Sequence, residues 1–574
     1  MAASPSDQRR LSSISWALVT LAVVYQLLYI WQGLDFTDTG WHLTAYQQIF
    51  DHPESVQYSF MYWLSCISGG LLMEAWPGGG LLANRLASVV VHCLVFWLYY
   101  RLLVRVMKPD VAVQGLASSL LFFQFYGFES LNYDSFSLLA FSLVTYLMVT
   151  GLWDRKYVMI YAGAAICGVS TYFRLTNLSA LAFLPLVCGC LWLYDADFRQ
   201  ILRTAIYLIL SYIGGHLLVL GLMASMGHLQ IFLDNIALVR QMGADPDYSH
   251  NLPYVLYLYG LGWVKIAVGG LAVVLLTAAL RLSQSKMSRV GLAVALVLSV
   301  VLYMMLLAQY PDEVWSKMRY AYLAAISLAT AYILYRGDLQ LMVLAVFGWV
   351  LMAIFPLGAN SGVEKMYFGV GLGGALLYWQ VHSYFTGRHW LWPKRWLLGL
   401  YTATCLYYGY SNTYWDPGSR LAKTATVEHP GLRGIHTTAA RATTVDELIA
   451  ALTPVVEEGD YLLAFSDIPM VHYLTRARPY ILTSWPRLYD SLRNFTDRME
   501  DAEHQLGLPS AVVMHKMEMR SPWPTNTTPT YLQPGSTENR LPDHYSYMNA
   551  WLSARTYELA WENEVFMVYS LVAQ

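Results

Sequence analysis

Two acidic residues, Asp35 and Asp38, directly follow the first long apolar run of the sequence, and His42 comes four positions after Asp38. A carboxyl group held against a bilayer is partly desolvated, which raises its pKa and makes it a stronger base. If this segment is helical, Asp38 and His42 lie on the same face. The pattern therefore predicts proton abstraction at the membrane surface. The alternative is structural: both acids end one helix and cap the next.

A second acidic pair, Glu129 and Asp134, lies where another apolar run begins. Together with His42, these acids are expected to support the acceptor side of a reaction or to hold a metal ion. Carboxylate oxygens are suitable ligands for a divalent cation such as Mg²⁺ or Mn²⁺. The pattern does not decide whether a metal ion is bound or which one. Asp134 alone also fits a plain N-cap for the helix that follows.

Basic residues are few on the face that carries these acids, and four of them lie at the ends of apolar runs: Arg174, Lys317, Arg319 and Lys365. Guanidinium and ammonium groups bind phosphate through charge-assisted hydrogen bonds, so the expected partner is an anionic head group. The alternative for each residue is snorkelling to the interface or pairing with the nearby acids.

The composition requires a membrane to position these groups. Hydrophobic residues make up 56% of the 574 residues and charged residues only 13%, about half the roughly 25% usual for soluble proteins. A net charge of −2 gives no cationic surplus for binding nucleic acid. Charged residues account for about 10% of residues 1–414 and 20% of residues 415–574. A transmembrane part, 1–413, and a C-terminal soluble α/β domain, 414–574, are therefore predicted.

Thirteen apolar runs are long enough, or nearly so, to cross a bilayer as helices. They lie near 12–33, 81–106, 110–126, 135–153, 157–173, 178–194, 201–224, 255–280, 290–309, 320–335, 339–357, 366–385 and 396–413. With a cytoplasmic N-terminus, sixteen Lys and Arg residues fall in cytoplasmic loops and six on the opposite face, as the positive-inside rule requires. The long first outer loop, 34–80, and residues 414–574 then lie outside, in the periplasm of a Gram-negative cell. The stretch 42–50 in that loop is predicted to be an amphipathic helix in the membrane interface.

The C-terminal segment alternates short apolar runs with helical patterns. Strands are predicted at 460–465, 510–515 and 565–571, and helices at 470–474 and 488–506, which favours a small α/β domain. A capping box at Thr444–Glu447 predicts the start of a further helix that ends near 458. Because no Gly-rich phosphate loop follows any strand, this segment is expected to cover the outer cavity or to bind the acceptor rather than to catalyse a separate reaction.

The combination of these features resembles the GT-C superfamily of membrane glycosyltransferases. The resemblance rests on Asp35 and Asp38 after the first helix, the acidic start of the fourth helix and the Arg- and Lys-bearing outer loops. The overall plan is similar to that of the aminoarabinose transferases and the protein O-mannosyltransferases, and the stretch 38–43 and the loop 358–362 look like a bacterial branch. The first loop lacks the adjacent Asp-Glu pair of the mannosyltransferases, so their specificity does not carry over.

The resemblance implies transfer of a sugar from a polyprenyl-phosphate carrier to a glycan, lipid or protein acceptor, with inversion, on the outer face of the inner (plasma) membrane. Asp38 would be the base, with Asp35 as the fallback, and in some members the matching acid binds a metal instead. Arg174, Lys317, Arg319 and Lys365 would bind the lipid phosphate. Alternatives are a transporter or flippase, which should show internal repeats, and a polymerase or ligase of lipid-linked glycans.

Overall fold

The computed structural model of this chain describes most of its length. The described residues are 11–123, 129–244, 252–284, 311–358, 362–384, 391–489, 491–524 and 541–572. Helices dominate up to residue 411, and strands occur only after that point among these residues.

The helices of the first part form where the sequence is continuously apolar, and several begin at a side-chain cap. Ser12, Asn132, Asp197 and Asp338 each accept a hydrogen bond from a backbone N–H of the following first turn, which satisfies a donor that the helix itself leaves unpaired. The helices are α1 Ser13–Leu28, α2 Asp38–Gln48, α3 Trp63–Ala75, α4 Gly80–Leu103, α5 Pro109–Phe122, α6 Tyr133–Asp154, α7 Tyr157–Ser170, α8 Phe183–Leu193, α9 Phe198–Ser225, α10 Leu229–Gly243, α11 Leu252–Gln284, α12 Pro311–Arg336, α13 Leu339–Ala353, α14 Val370–Tyr384 and α15 Leu391–Ser411.

Several of these helices are suited to crossing a bilayer. Six segments of the described chain are long and apolar enough: Gly80–Leu103, Tyr133–Trp153, Leu175–Leu193, Phe198–Ser225, Leu252–Leu271 and Leu339–Gly358. Two shorter apolar helices, Ser13–Leu28 and Tyr157–Ser170, accompany them. The predicted run at 290–309 lies outside the described residues. The multi-pass helical class is therefore confirmed, while the count of thirteen crossings stays a prediction.

The first loop, residues 34–80, contains α2, a 3₁₀ segment at Pro53–Tyr62 and α3. We expected an interfacial amphipathic helix at 42–50, and this prediction is wrong. Helix α2 is buried along nearly its whole length, because one side packs on the other helices and the other side packs on the C-terminal segment. Gly40 permits the second contact: a Cβ atom there would lie 2.3 Å from the backbone nitrogen of Met470.

The C-terminal segment contains a five-stranded mixed sheet with helices around it. Its helices are α16 Ala439–Leu452, α17 Met470–Thr475, α18 Leu492–Leu506 and α19 Leu541–Ser553, and its strands are β1 Lys423–Thr426, β2 His436–Thr438, β3 Tyr461–Ala464, β4 Arg478–Pro479, β5 Ala511–His515, β6 Tyr557–Glu562 and β7 Phe566–Leu571. The strand order is β4–β3–β5–β7–β6, in which β4, β3 and β5 are parallel and β7 is antiparallel to β5 and β6. Strands β1 and β2 form a separate hairpin.

The strands predicted in this segment are present, whereas the predicted start of one helix is wrong. Helix α16 begins at Ala439, where the Thr438 side chain accepts from the N–H of Arg441, and it continues through Thr444. Thr444 is therefore an interior residue of the helix and does not cap it. The earlier start is set by strand β2, which ends at Thr438 and delivers the chain directly into the helix.

A buried ionic cluster ties the first loop to the C-terminal segment. Asp416 accepts hydrogen bonds from the Leu34 N–H (2.9 Å) and the Thr437 hydroxyl (2.7 Å). Lys423 and Arg441 each approach its other oxygen to 3.5 Å. Apolar side chains of the loop and of the sheet also belong to one continuous hydrophobic core. The first loop is therefore held in place by the C-terminal segment as well as by the helices.

Candidate active site

The Asp35 carboxylate accepts hydrogen bonds from residues at the start of helix α2. One of its carboxylate oxygens accepts from the N–H and the hydroxyl of Thr37 (2.8 and 2.7 Å), and the other accepts from the N–H of Thr39 at 2.7 Å. The side chain is buried. These hydrogen bonds satisfy backbone donors that the first turn of a helix leaves unpaired. This geometry gives Asp35 the task of fixing the first turn of α2.

Asp38, three residues later, has a different environment. Among the described residues, its hydrogen-bond donor is the hydroxyl of Tyr414, which lies just beyond helix α15. Burial and the neighbouring Asp35 charge raise the pKa of Asp38 to about 6, although Tyr414, Arg520 and Lys365 lower it. A carboxyl group with this pKa is largely ionised at neutral pH yet takes up a proton readily, as a general base must.

Aromatic rings pack around the part of helix α2 that follows Asp38. The His42 ring lies 4.9 Å from the ring of Trp41 and 5.1 Å from that of Tyr133, and the rings of Tyr62 and Tyr133 stack at 4.3 Å. Burial lowers the pKa of His42 to about 3, so its imidazole is neutral at physiological pH. His42 therefore contributes a neutral surface to this site and no positive charge.

Two of the four predicted phosphate-binding residues, Arg174 and Lys365, converge on Asp134. Arg174 donates to one oxygen of Asp134 at 3.1 Å, and the Lys365 ammonium lies 2.5 Å from the other. Both cations also lie over the Tyr133 ring, at 5.3 and 5.8 Å from its centroid. Arg174 donates in addition to the carbonyl of Gly358. Two cations share one carboxylate, so this cluster carries one uncompensated positive charge.

Glu129 lies apart from the Asp134 cluster. It accepts from Arg420 at 3.1 Å and lies 3.9 Å from Arg85. Arg85 is buried and donates to the carbonyls of Ile30, Gln32 and Gly33. Glu129 thus helps to fasten the backbone that leads into the first loop, and the structure gives it a positioning contact instead of a place beside Asp38.

The remaining two predicted cations are on helix α12. Arg319 is half-buried there. Lys317 lies on the same helix, and its side chain lies outside the described part of the structure.

Two residues of the site were not foreseen from the sequence, Tyr414 and Arg520. Tyr414 bonds to Asp38 across 376 positions of the chain. Arg520 follows strand β5, lies over the ring of Trp415 and attracts both Asp38 and Asp467 electrostatically. The position of Tyr414, just after the last apolar run, was the one available signal that it shares a level with Asp38. Nothing local in the sequence marks Arg520.

The acids named as metal ligands do not fit a metal ion in this arrangement. Asp35 is engaged by Thr37 and Thr39, and Asp134 by two cations. Among the described residues, no group of three His, Cys, Asp or Glu side chains is arranged to hold an ion. We therefore derive no step through a metal, and a divalent cation stays a prediction.

Comparison with solved structures identifies the fold. ArnT from Cupriavidus metallidurans bound to undecaprenyl phosphate is similar over 98% of this chain and 99% of its own, with 12% identity and a TM-score of 0.51. ArnT is a GT-C membrane glycosyltransferase.

This chain has the GT-C fold. At 12% identity the likeness concerns the fold and leaves the activity to be argued from the site.

Two further GT-C structures are more distant. The oligosaccharyltransferase AglB from Archaeoglobus fulgidus, in complex with an inhibitory peptide and a dolichol-phosphate, has 11% identity and a TM-score of 0.44 over 87% of this chain and 69% of its own. Arabinosyltransferase EmbB from Mycobacterium smegmatis has 12% identity and a TM-score of 0.38 over 76% and 43%. A scan against protein-family models finds no match, and neither does a search of the curated proteins.

Proposed function

We propose that the protein is a membrane glycosyltransferase that moves a sugar from a polyprenyl-phosphate carrier to a hydroxyl or amine of an acceptor, with inversion. The observation that carries the proposal is the pairing of two unlike sites at one end of the helices. One is a carboxyl group with a raised pKa, Asp38. The other is the cationic cluster of Arg174 and Lys365 around Asp134.

The reaction needs both sites. The acceptor oxygen or nitrogen attacks the anomeric carbon while its proton passes to the Asp38 carboxylate, and a new glycosidic bond forms. The bond between that carbon and the phosphate oxygen breaks on the opposite face, and the polyprenyl phosphate leaves with the electron pair. Inversion follows because attack and departure occur on opposite faces. One base and one cationic receiver for the departing anion are sufficient for this chemistry.

The net positive charge of the Asp134 cluster suits a lipid phosphate. Asp134 neutralises one of its two cations, so a phosphate that enters between Arg174 and Lys365 meets one free positive charge. Charge-assisted hydrogen bonds to phosphate are stronger than neutral ones. A solved structure with the same fold, ArnT, was obtained with undecaprenyl phosphate bound, which is the class of ligand that we propose here.

The proposal also assigns an orientation. The site lies on the outer face of the inner membrane, residues 1–413 form the transmembrane part with thirteen crossings, and residues 414–574 lie outside the cytoplasm. The Lys and Arg distribution supports this orientation. The excess of basic residues at the opposite ends of the helices, away from Asp38 and Asp134, is the supporting fact.

The test is the lipid that the full-length protein retains in mild detergent, identified by mass spectrometry. We expect a polyprenyl phosphate, with or without a sugar, in the wild-type protein and at least ~10-fold less in Lys365→Met, because a hydrogen bond to a charged group contributes about 1.5–3 kcal/mol. Arg433→Met removes an exposed cation of the C-terminal segment and is expected to retain as much lipid as the wild type.

Two results would contradict the proposal. If the wild-type protein binds no polyprenyl phosphate even when it is added back, the donor site is not where we place it, and transport becomes the next hypothesis. If the lipid binds but Asp38→Asn leaves transfer intact, a polymerase or ligase that uses the same lipid without this base is favoured.

A further inference from the structure

The C-terminal sheet contains a second polar site beside helix α2. The chain runs from β3 to β4 on one side of β3 and then returns to β5 on the other side. The strand order therefore reverses at β3, and its carboxyl end is a topological switch point. In open sheets with parallel strands, ligands bind in the crevice outside the carboxyl ends at such a point. At this end of the sheet, Trp485 from the loop after β4 packs against Trp41 of α2, the helix that carries Asp38.

A buried carboxylate lies at this edge with its own donors. Asp467, two residues after the described end of the β3 pairing at Phe465, accepts from the Trp485 indole N–H at 2.8 Å and from Arg487 at 2.6 Å. Asp467 is 1% exposed. Trp485 and Arg487 come from the loop after β4, so the carboxyl ends of two neighbouring strands meet at this carboxylate.

Three buried polar atoms around this carboxylate have no hydrogen-bond partner among the described residues. They are the indole nitrogen of Trp41 and the hydroxyl oxygens of Ser466 and Ser484. The three residues are 5%, 2% and 1% exposed. Buried polar groups in folded proteins are nearly always paired, so each of these three groups is available to pair with a ligand.

The residues that carry these atoms are related to Asp467 and Asp38 by sequence and by packing. Ser466 and Ser484 are the chain neighbours of Asp467 and Trp485. The rings of Trp41 and Trp485 lie 6.0 Å apart, and Trp41 follows Asp38 by three residues on α2, one turn along the helix. Ser466 adopts a φ of 75°, a left-handed conformation that is uncommon for a residue other than glycine and is concentrated at functional sites.

The charges at this site balance. Arg487 neutralises Asp467, and Arg520 lies between Asp467 and Asp38. The free groups are neutral: one N–H donor and two hydroxyls that both donate and accept. Hydroxyl groups of a sugar are the natural complement to such a set. A phosphate or carboxylate would meet no uncompensated cation here.

We propose that Trp41, Ser466, Ser484 and Trp485, around Asp467, form an acceptor subsite that binds a neutral, hydroxyl-rich saccharide unit. The proposal rests on the glycosyltransferase function and adds the chemical class of the acceptor. The acceptor is a glycan whose sugar lies in the crevice and whose next hydroxyl reaches Asp38. The Asp134 cluster, by contrast, binds the donor phosphate.

Saturation-transfer NMR on the full-length protein in nanodiscs tests the subsite. The probes are methyl α-mannopyranoside, methyl α-glucopyranoside and methyl β-galactopyranoside, with glucose 6-phosphate as the anionic comparison. We expect at least one neutral glycoside to bind, and any binding of glucose 6-phosphate at the Asp134 cluster to be unchanged in the variants of this subsite. The dissociation constant of that glycoside should rise at least fivefold in Trp41→Phe, which keeps an aromatic ring, and in the double variant Ser466→Gly/Ser484→Ala.

Two controls keep the test decisive. Ser466→Gly suits the positive φ, so the double variant is not expected to lose its fold, and Ser553→Ala removes an exposed hydroxyl of α19 and should change nothing. Polyprenyl-phosphate retention, measured on the same samples, should be unchanged in all variants. The subsite is overturned if no neutral glycoside binds, if the variants bind it as the wild type does, or if the variants weaken the binding of glucose 6-phosphate more than that of the neutral glycoside. The glycosyltransferase function fails separately, when the lipid is not retained.

Discussion

Two aspartates near the same end of the molecule have opposite surroundings, and the contrast separates their roles. Asp134 is surrounded by the membrane helices, and both of its oxygens are taken by the cations Arg174 and Lys365. Asp38 lies where the first loop meets the C-terminal segment, with Tyr414 as its donor among the described residues and with Asp35 nearby. A saturated carboxylate organises cations, whereas a sparsely partnered one is free to take a proton.

The difference arises from what each part of the fold supplies. The helices contribute basic residues at their ends, which neutralise one acid completely. The contact between the first loop and the C-terminal segment buries Asp38 beside a like charge, and the cations there, Arg520 and Lys365, only partly offset this. One end of the fold therefore holds a cationic cluster and a carboxyl group with a raised pKa, the two features on which the proposed inverting transfer depends.

Substitution of Asp38 is expected to have the largest effect on activity. Asp38→Asn removes the proton acceptor, and because general-base catalysis typically contributes about 10²–10⁴-fold, we expect transfer to fall by roughly 10³-fold. Lipid retention should be unchanged, and stability at pH 7 no lower, since a buried charge is lost. Transfer of radiolabelled sugar from a polyprenyl-phosphate donor measures the effect. Asp51→Asn, an exposed acid of the same loop, is the control, and a comparable loss there would refute a specific role for Asp38.

Substitution of Asp134 is expected to affect stability instead. Asp134→Asn removes the carboxylate that the buried Arg174 and the half-buried Lys365 share, and breaking a buried ion pair in this way costs about 3–5 kcal/mol. The half-inactivation temperature in detergent should fall markedly, and Asp134→Glu should restore part of it. Asp154 provides the control at the other end of α6: its ion pair with Arg105 is partly exposed, so Asp154→Asn should cost about 0–1 kcal/mol. Equal losses in the two Asn variants would remove the contrast between a buried and an exposed pair.

The sequence predicted the common level of Asp134, Arg174 and Lys365 better than it predicted the surroundings of Asp38, although it assigned Asp134 to the acceptor or metal side and not to these two cations. Asp134, Arg174 and Lys365 lie next to the ends of apolar helices, so the bilayer itself sets them at one level, and the spacing of hydrophobic runs reveals this. The neighbours of Asp38 depend on how the C-terminal segment docks, which no periodicity encodes. Tyr414 and Arg520 were therefore missed, and α2 was expected in the membrane interface although it is buried under the sheet.

The fold was likewise predicted in outline, and the errors concern contacts. The apolar runs that lie within the described residues and the strands at 460–465, 510–515 and 565–571 agree with observed helices and strands, because their patterns are local. Glu129 was grouped with the site because it lies at the right level, yet Arg85 and Arg420 hold it elsewhere. The sequence indicates the depth of a residue relative to the membrane, whereas its neighbours at that depth are decided by packing.

The smallest expected effects are two opposite shifts in the pH dependence of transfer. A base must be deprotonated to act, so kcat/KM should rise with pH through the pKa of Asp38, which is about 6. The Tyr414 hydroxyl lowers this pKa and the Asp35 charge raises it. Tyr414→Phe should therefore move the acidic limb of the profile to higher pH. Asp35→Asn, which keeps a side chain able to cap α2, should move it to lower pH.

The opposite signs make the pair more informative than either variant alone. A general loss of structure would lower the whole profile and move the acidic limb in the same direction in both variants. A titrating Asp38, in contrast, responds in opposite directions to the loss of a hydrogen-bond donor and to the loss of a like charge. If Asp35 were the base, Asp35→Asn would abolish activity instead of shifting its pH dependence. If both variants keep the wild-type limb, the titrating group is not Asp38, and the contrast between its surroundings and those of Asp134 has no bearing on catalysis.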